Sequence, residues 1–377
     1  MTSPLFRNKP APEPLSHPIL GKATETAKPL GPPMWDWSTV RKVLVVRLRS
    51  IGDTVLSTPS LYALRRFLPN AQIDIVLENW VAPLLDGFEH VDNVIGVEKG
   101  SALSRARLAR MLRSSHYDVA YNLHGGTTAT LLIRASGAKY RVGYASYQYN
   151  RLLTHAAPPA AQSWGTEKTH SVEQQLALLG WTGVPVSDRP PTHLAVTPEA
   201  GESVAARLAA KGIGGSPVAL LHPTAAFDTK QWAVENFARV AEHVVERGLI
   251  PVAVVASRET AVLDELQRLS AVPVIGFSNL SLPEITALAS KSRLFVGNDS
   301  GIAHIAAAVN TPSVVVFGSS NVHHWRPWSR APHEVVREDL PCAPCPGYTC
   351  GEFDEPRCIR LVSAERVISA IQRVLET

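Results

Sequence analysis

Val43-Leu44-Val45-Val46-Arg47-Leu48-Arg49-Ser50-Ile51-Gly52-Asp53-Thr54-Val55 begins with an unbroken apolar run and passes through a short glycine-bearing loop. An amphipathic stretch, Leu61 to Leu68, and a second run, Ile73-Asp74-Ile75-Val76-Leu77, come next. Apolar, β-branched runs separated by amphipathic segments predict strands of a parallel sheet covered by helices on both faces. The alternation continues through Asn93 to Val97, a helix over Leu103 to Arg113, a strand over Asp118 to Leu123, a helix from about Thr127 and another over Val172 to Leu179. Gly183-Val184-Pro185-Val186-Ser187-Asp188-Arg189-Pro190-Pro191 then has the composition of a linker. Beyond it a second series places strands at Val218 to Leu221, Pro251 to Ala256, Val274-Ile275, Leu294 to Val296 and Val314 to Phe317. Helices between them are expected near Val234 to Glu246, Thr260 to Leu269, Leu282 to Ala289 and Ile302 to Val309, and Ser363 to Leu375 reads as a final amphipathic helix.

Two βα series joined by a proline-rich linker predict an α/β protein of two doubly wound, Rossmann-like domains. The expected boundaries are a proline-rich tail at 1–39, a first domain at 40–185, a second at 186–340, and a cysteine-rich loop with the last helix at 341–377. Ligands of such sheets sit beyond the carboxyl ends of the strands, so the cleft between the domains is the expected site.

Composition supports this and narrows the function. A chain of 377 residues, 45% hydrophobic and 19% charged, is long and apolar enough for two packed cores, which excludes a disordered protein. Residues 1–190 carry 21 basic and 14 acidic side chains, and the remainder 16 and 19. That asymmetry excludes a uniformly basic nucleic-acid coat and suits a first half that meets an anionic partner, although an uneven scatter of solvated side chains gives the same count. No apolar run reaches the roughly 18 residues of a membrane span and no basic leader precedes an apolar stretch, so a cytoplasmic location is expected. The first 40 residues hold eight prolines and little apolar periodicity, which reads as an extended or disordered tail.

Three stretches carry chemistry. In the first, Asp53 stands in the first turn of a helix, where a carboxylate is stabilised by free amides and the dipole by roughly 0.3 to 1 kcal/mol. The same position, at the carboxyl end of the first strand, suits a general base aimed into the cleft, with Arg47 and Arg49 beside it for an anionic acceptor. In the second, His222-Pro223-Thr224-Ala225-Ala226-Phe227-Asp228-Thr229-Lys230-Gln231-Trp232, Thr224 and Lys230 make a cradle for diphosphate, or else Lys230 is a solvated surface charge. The third, Val296-Gly297-Asn298-Asp299-Ser300-Gly301-Ile302-Ala303-His304, is a glycine-flanked turn that lets a ligand approach the amides of Ser300 and Gly301. Its alternative is a tight βα turn capped by Asp299, with His304 as a core histidine. Neither a Gly-x-Gly-x-x-Gly nor a Gly-x-x-x-x-Gly-Lys-Ser/Thr stretch is present, which weakens dehydrogenase and phosphate-loop readings.

Ser50-Ile51-Gly52-Asp53, His222-Pro223-Thr224 with Lys230 and Trp232, and Gly297 to His304 together resemble the ADP-heptose:lipopolysaccharide heptosyltransferases of glycosyltransferase family 9. The resemblance runs from about Val40 onward and implies the GT-B architecture, with the acceptor on the first domain and the nucleotide sugar on the second. It implies Asp53 as catalytic base, and donor contacts from Thr224, Lys230, Glu259, Asp299, Ser300, Gly301 and His304. Val255-Ala256-Ser257-Arg258 replaces the Gly-Gly-Pro type of turn usual before the nucleoside acid, and Ala225 stands where a second threonine is common. The implied reaction is inverting transfer of a heptose or similar sugar from ADP-heptose to a lipopolysaccharide-core or related phosphorylated glycolipid. No catalytic cofactor is implied, and no Asp-x-Asp pair follows a predicted strand to hold a metal. The competing readings are a GT-B-like epimerase or phosphorylase and a sugar-nucleotide binding protein without catalysis.

Two features stand outside that chemistry. Cys342, Cys345, Cys350 and Cys358 are all the cysteines, interleaved with Pro341, Pro344, Pro346 and Gly347. They exclude a disulfide framework spread over the fold and suggest a four-thiolate structural zinc or iron site, with reduced thiols in a packed loop as the alternative. Arg105, Arg107, Arg110 and Arg113 give one helix a basic face, read as solvated or as holding a phosphorylated acceptor through Arg107 and Arg110. The same face suits a peripheral contact with the cytoplasmic side of the inner membrane.

Overall fold

The runs of the first series become strands, most of them buried, in the computed structural model, which describes residues 26–98, 100–345 and 347–376. The strands are β1 (Lys42–Val46), β2 (Gln72–Glu78), β3 (Asn93–Val97), β4 (Val119–Asn122), β5 (Tyr140–Tyr144) and β6 (His155–Ala157). They form one parallel sheet in the order β3-β2-β1-β4-β5-β6. The second series supplies β7 (Val218–His222), β8 (Ile250–Val254), β9 (Ile275–Phe277), β10 (Ser292–Asn298), β11 (Ser313–Phe317) and β12 (His333–Arg337). These are parallel in the order β12-β11-β10-β7-β8-β9, the same winding as the first sheet read from its other edge. Every residue of β7 and β11 is buried, as expected of strands covered on both faces. The result is two facing doubly wound α/β domains, the GT-B architecture.

The winding matters because it reverses between β1 and β4 and again between β7 and β10. Adjacent crossovers leave in opposite directions at those two points and open a crevice at the carboxyl ends of the strands. The crevices face each other across a close interdomain contact. A Cβ on Gly301 would stand 2.6 Å from Ile51 Cβ, and one on Gly52 would stand 2.7 Å from His304 Cδ2. Both glycines are thus needed for the approach of the domains rather than for an unusual backbone angle. The apolar core continues across this junction through Val55, Leu56, Ile302 and Ile305. Behind it, His170 stacks on Trp328 at 4.6 Å, and Trp328 Nε1 donates to Pro190 O at 2.9 Å, pinning the connection between the domains.

The last helix, Ala364–Glu376, buries Val367, Ala370, Ile371 and Val374 in the core of the second domain. The amphipathic stretch at Leu61 is the helix Thr58–Phe67, whereas the helix Pro198–Ala210 after the linker was not anticipated. The tail reading fails from Lys28 onward. Lys28 N donates to Ser187 Oγ at 2.7 Å, Leu30 N and Gly31 N both reach Gly180 O at 3.0 Å, and Trp37 Nε1 donates to Thr182 O at 3.0 Å. Trp35 stacks on Tyr140 at 4.4 Å. Two buried tryptophans supply the apolar area that a count of prolines ignores. Residues 1–25 lie outside the described residues. Among the described residues no helix is long and apolar enough to cross a membrane.

Candidate active site

Each functional segment leaves a strand at one of the two points where the winding reverses. From β1 the chain enters the short helix Ile51–Val55, and Asp53 occupies its first turn. Ser50 N and Oγ donate to Asp53 Oδ2 at 3.2 and 3.1 Å, while Arg47 pairs with Oδ1. Arg47 is 7% exposed, and its guanidinium also donates to Leu123 O at 2.7 Å. A buried cation needs such partners, and Asp53 is its only carboxylate partner among the described residues. Asp53 therefore closes a helix start and also lines the cleft.

From β7 the chain enters the His222-Pro223-Thr224 turn. His222 Nδ1 meets Val254 O at 2.8 Å, and Thr224 Oγ1 donates to Glu259 Oε2 at 2.9 Å. Glu259 also accepts from Ala256 N at 3.0 Å, so it braces the loop after β8 while lining the cleft. Lys230 Nζ donates to Asp299 Oδ2 at 2.9 Å, joining the β7 segment to the end of β10. Asn298 fixes the two together more firmly: its Oδ1 accepts from Trp232 N at 3.0 Å and its Nδ2 donates to Pro223 O at 3.1 Å. Ser300 then begins the helix Gly301–Ala308. Among the described residues Ser300 Oγ and His304 Nδ1 are buried without a protein partner at this helix start, beside Lys230 and Asp299. Burial holds the His304 imidazole below its usual pKa against the opposing pull of Asp299 and Asp53, so it is neutral near pH 7.

These segments line one cavity of about 900 Å³. Ser50 to Asp53 form its first-domain wall, Thr224, Lys230, Asp299, Ser300, Gly301 and His304 its middle, and Val254 to Glu259 with Ser278 to Ile285 its far end. Arg49 is exposed near the first-domain rim, and Arg107 and Arg110 stand on the solvent face of the helix Ala102–Ser114, away from the cavity wall. The acceptor role expected of Arg107 and Arg110 thus lacks a place at the cavity.

His124 went unread in the sequence although it follows β4, the other strand of the first reversal point. Burial and the neighbouring Arg47 push its imidazole down to about 4, and among the described residues its buried Nδ1 has no partner. The signal that could have found it is His124-Gly125-Gly126 directly after a strand and before a helix, a small turn like the one at Asp299. The loop Ser278 to Ile285 was also missed, because its contribution depends on where β9 ends.

The cysteine loop sits behind the segment that carries Lys230. Cys345 N donates to Ser319 O at 2.9 Å, Thr229 Oγ1 donates to Gly347 O at 3.1 Å, and Tyr348 packs on Phe227 at 4.4 Å. The loop therefore braces the segment that carries Lys230. All four cysteines are free thiols, and burial together with the other three thiols pushes Cys358 up to about 11. Among the described residues no group of three or more His, Cys, Asp or Glu side chains is placed to hold a metal ion.

The family model for glycosyltransferase family 9 (heptosyltransferase) matches residues 105–353. The chain belongs to glycosyltransferase family 9. As a family member it is a glycosyltransferase, and its sequence is 27% identical over 344 residues to lipopolysaccharide heptosyltransferase 3 of Escherichia coli (strain K12), covering 87% of this chain and 96% of that protein. Two solved structures share the family fold. A glycosyl transferase family 9 protein from Veillonella parvula superposes with a TM-score of 0.78 at 19% identity, over 89% of this chain and 97% of that one. E. coli ADP-heptose lps heptosyltransferase II gives 0.74 at 22% identity, over 89% and 98%.

Proposed function

We propose that this family 9 enzyme transfers a heptose, with inversion, from ADP-heptose to a lipopolysaccharide-core or related phosphorylated glycolipid, at the cytoplasmic face of the inner membrane. The observation that carries the reading is that Asp53, from the first domain, and the Lys230–Asp299 pair, from the second, line the same cavity from opposite sides. One domain supplies a carboxylate at a hydroxyl's height and the other a cation and free helix-start amides where a diphosphate would lie. The far end, lined by Val255, Leu280, Leu282 and Ile285 together with Glu259 and Glu284, offers an apolar slot and carboxylates, which suits a purine and its ribose hydroxyls.

In the proposed step an acceptor hydroxyl attacks the anomeric carbon opposite the phosphate. Its oxygen forms the new glycosidic bond while the bond from that carbon to the phosphate oxygen breaks, and ADP leaves with the electron pair. Asp53 takes the hydroxyl proton on Oδ2, the oxygen held only by the longer contacts from Ser50, while Arg47 keeps Oδ1 fixed. Lys230 and the amides of Ser300 and Gly301 stabilise the charge that grows on the leaving phosphate. Neutral His304 and Ser300 Oγ have hydrogen-bonding capacity left for the donor. His124, also neutral, stands on the acceptor side with Arg49.

Calorimetric titration with ADP, ADP-heptose and the corresponding uridine compounds, followed by a transfer assay with heptose-deficient lipopolysaccharide, tests the reading. Preferential binding of ADP-heptose and release of ADP only when acceptor is present are expected. Tight binding of a uridine sugar, or its turnover without acceptor, would replace the reading with that of an epimerase.

A further inference from the structure

We propose that the outer face of the paired helices Ala102–Ser114 and Thr127–Ser136 docks the enzyme on an anionic lipid bilayer; the proposal rests on the reading of the acceptor as lipid-linked. Neither helix contains an acidic residue. Leu103, Arg107 and Arg110, at i, i+4 and i+7, form the centre of the solvent face of the first helix, opposite the buried Leu108 and Leu112. Met111 and Arg113 flank them, and on the second helix Leu131 and Arg134, at i and i+3, are exposed opposite Leu132 and Ile133. Leu103, Met111 and Leu131 are 61%, 42% and 51% exposed, so three of the ten exposed large apolar side chains among the described residues stand on these two neighbouring helices beside the arginines.

The two helices form one plane. Both pack on the same face of the first sheet, through Leu108, Leu112, Leu132 and Ile133 against Leu44, Val46 and Val76. The Arg113 guanidinium lies over Gly137, the left-handed residue that ends the second helix, so closely that a Cβ there would meet Nη1 at 1.6 Å. Each helix also starts just beyond the carboxyl end of its strand, β3 or β4, at the rim that faces the cleft. A bilayer lying along this plane would present an acceptor headgroup to the side of the cleft that holds Asp53.

Mixed side chains of this kind favour a bilayer over a folded partner. Leucine and methionine tips enter the acyl boundary while guanidiniums stay at the phosphates, and the charge complements an anionic leaflet.

The test is flotation of the full chain with phosphatidylcholine vesicles, with and without phosphatidylglycerol, at low and high salt. Wild type should bind only the anionic vesicles, with binding reduced by salt. The pair Arg107→Glu with Arg110→Glu should lower the partition coefficient at least about tenfold, and Leu103→Ser with Leu131→Ser should lower it without altering the salt dependence. All four positions are solvent-exposed, so melting temperature and ADP affinity should stay unchanged in both variants, which excludes misfolding as the cause. Equal binding to neutral vesicles, unaltered binding by both variants, or equally tight capture by heparin would overturn the proposal. Loss of sugar transfer with vesicle binding intact would instead count against the reading of the cleft.

Discussion

Replacing Asp53 by Asn separates two jobs that one carboxylate performs. Arg47 is 7% exposed and the Asp53 side chain 23%. Breaking a fully buried ion pair by removing one partner costs about 3 to 5 kcal/mol. Here the partly solvated carboxylate and the amide oxygen that Asn retains reduce the expected cost to about 1 to 2 kcal/mol, or a melting temperature lower by roughly 2 to 8 °C for a domain of this size. The catalytic loss is expected to be larger: a general base is worth at least about 100-fold in turnover. Calorimetric melting and ADP release at saturating donor and acceptor measure the two separately. The double variant Arg47→Met with Asp53→Asn removes the stranded cation, so it should recover most of the melting temperature and none of the turnover. Near-normal turnover in Asp53→Asn, or recovery of turnover in the double variant, would mean that the carboxylate serves only Arg47.

Lys230→Ala should weaken ADP binding by about 10- to 100-fold, the loss of a charge-assisted phosphate contact, and it also leaves Asp299 facing the diphosphate uncompensated; an unchanged titration would place the lysine outside the donor site. Gly301→Ala puts a Cβ 2.6 Å from Ile51 Cβ and 3.2 Å from Gly52 N, so the domains must separate locally. About 1 to 3 kcal/mol of destabilisation and a weaker ADP titration are expected, and a variant unaltered in both would show that the domains do not meet at this contact in solution. Burial lowers the pKa of His124, His170, His222, His304 and His324 in the folded chain. The unfolded chain therefore binds more protons below about pH 6.5, so stability is fully present above that value and falls as the pH drops towards 4. Urea midpoints measured at about pH 7.5 and about pH 5 should show the decline, and equal midpoints would contradict the burial of these imidazoles.

Much of the fold was legible because parallel strands buried on both faces have to be continuous apolar runs. Val43 to Val46, Val218 to Leu221 and Val314 to Phe317 could be read without any knowledge of their neighbours. Strands at or beside one edge of each sheet were harder. Tyr140–Tyr144 and His333–Arg337 mix charged or half-exposed side chains with apolar ones, since one side of each faces less cover. The N-terminal segment misled for a different reason: proline content describes the unfolded chain, whereas Trp35 and Trp37 find their partners, Tyr140 and Thr182, more than 100 positions away.

The sequence by itself determined the two βα series, the small turns after β1, β7 and β10, and the residues there that can carry charge. Those properties are local, written in hydrophobic period and in the few residue types that suit a strand-to-helix turn. Only the tertiary structure decided that Arg47 is buried against Asp53, that Lys230 reaches Asp299 across 69 positions, and that Arg107 and Arg110 face solvent on the outside of the first domain. It also placed His124 beside Arg47 and set the cysteine loop behind Thr229. Each depends on which strands become neighbours and on how closely Gly52 and Gly301 let the domains approach, and no local pattern encodes the distance between residues that the winding of two sheets brings together.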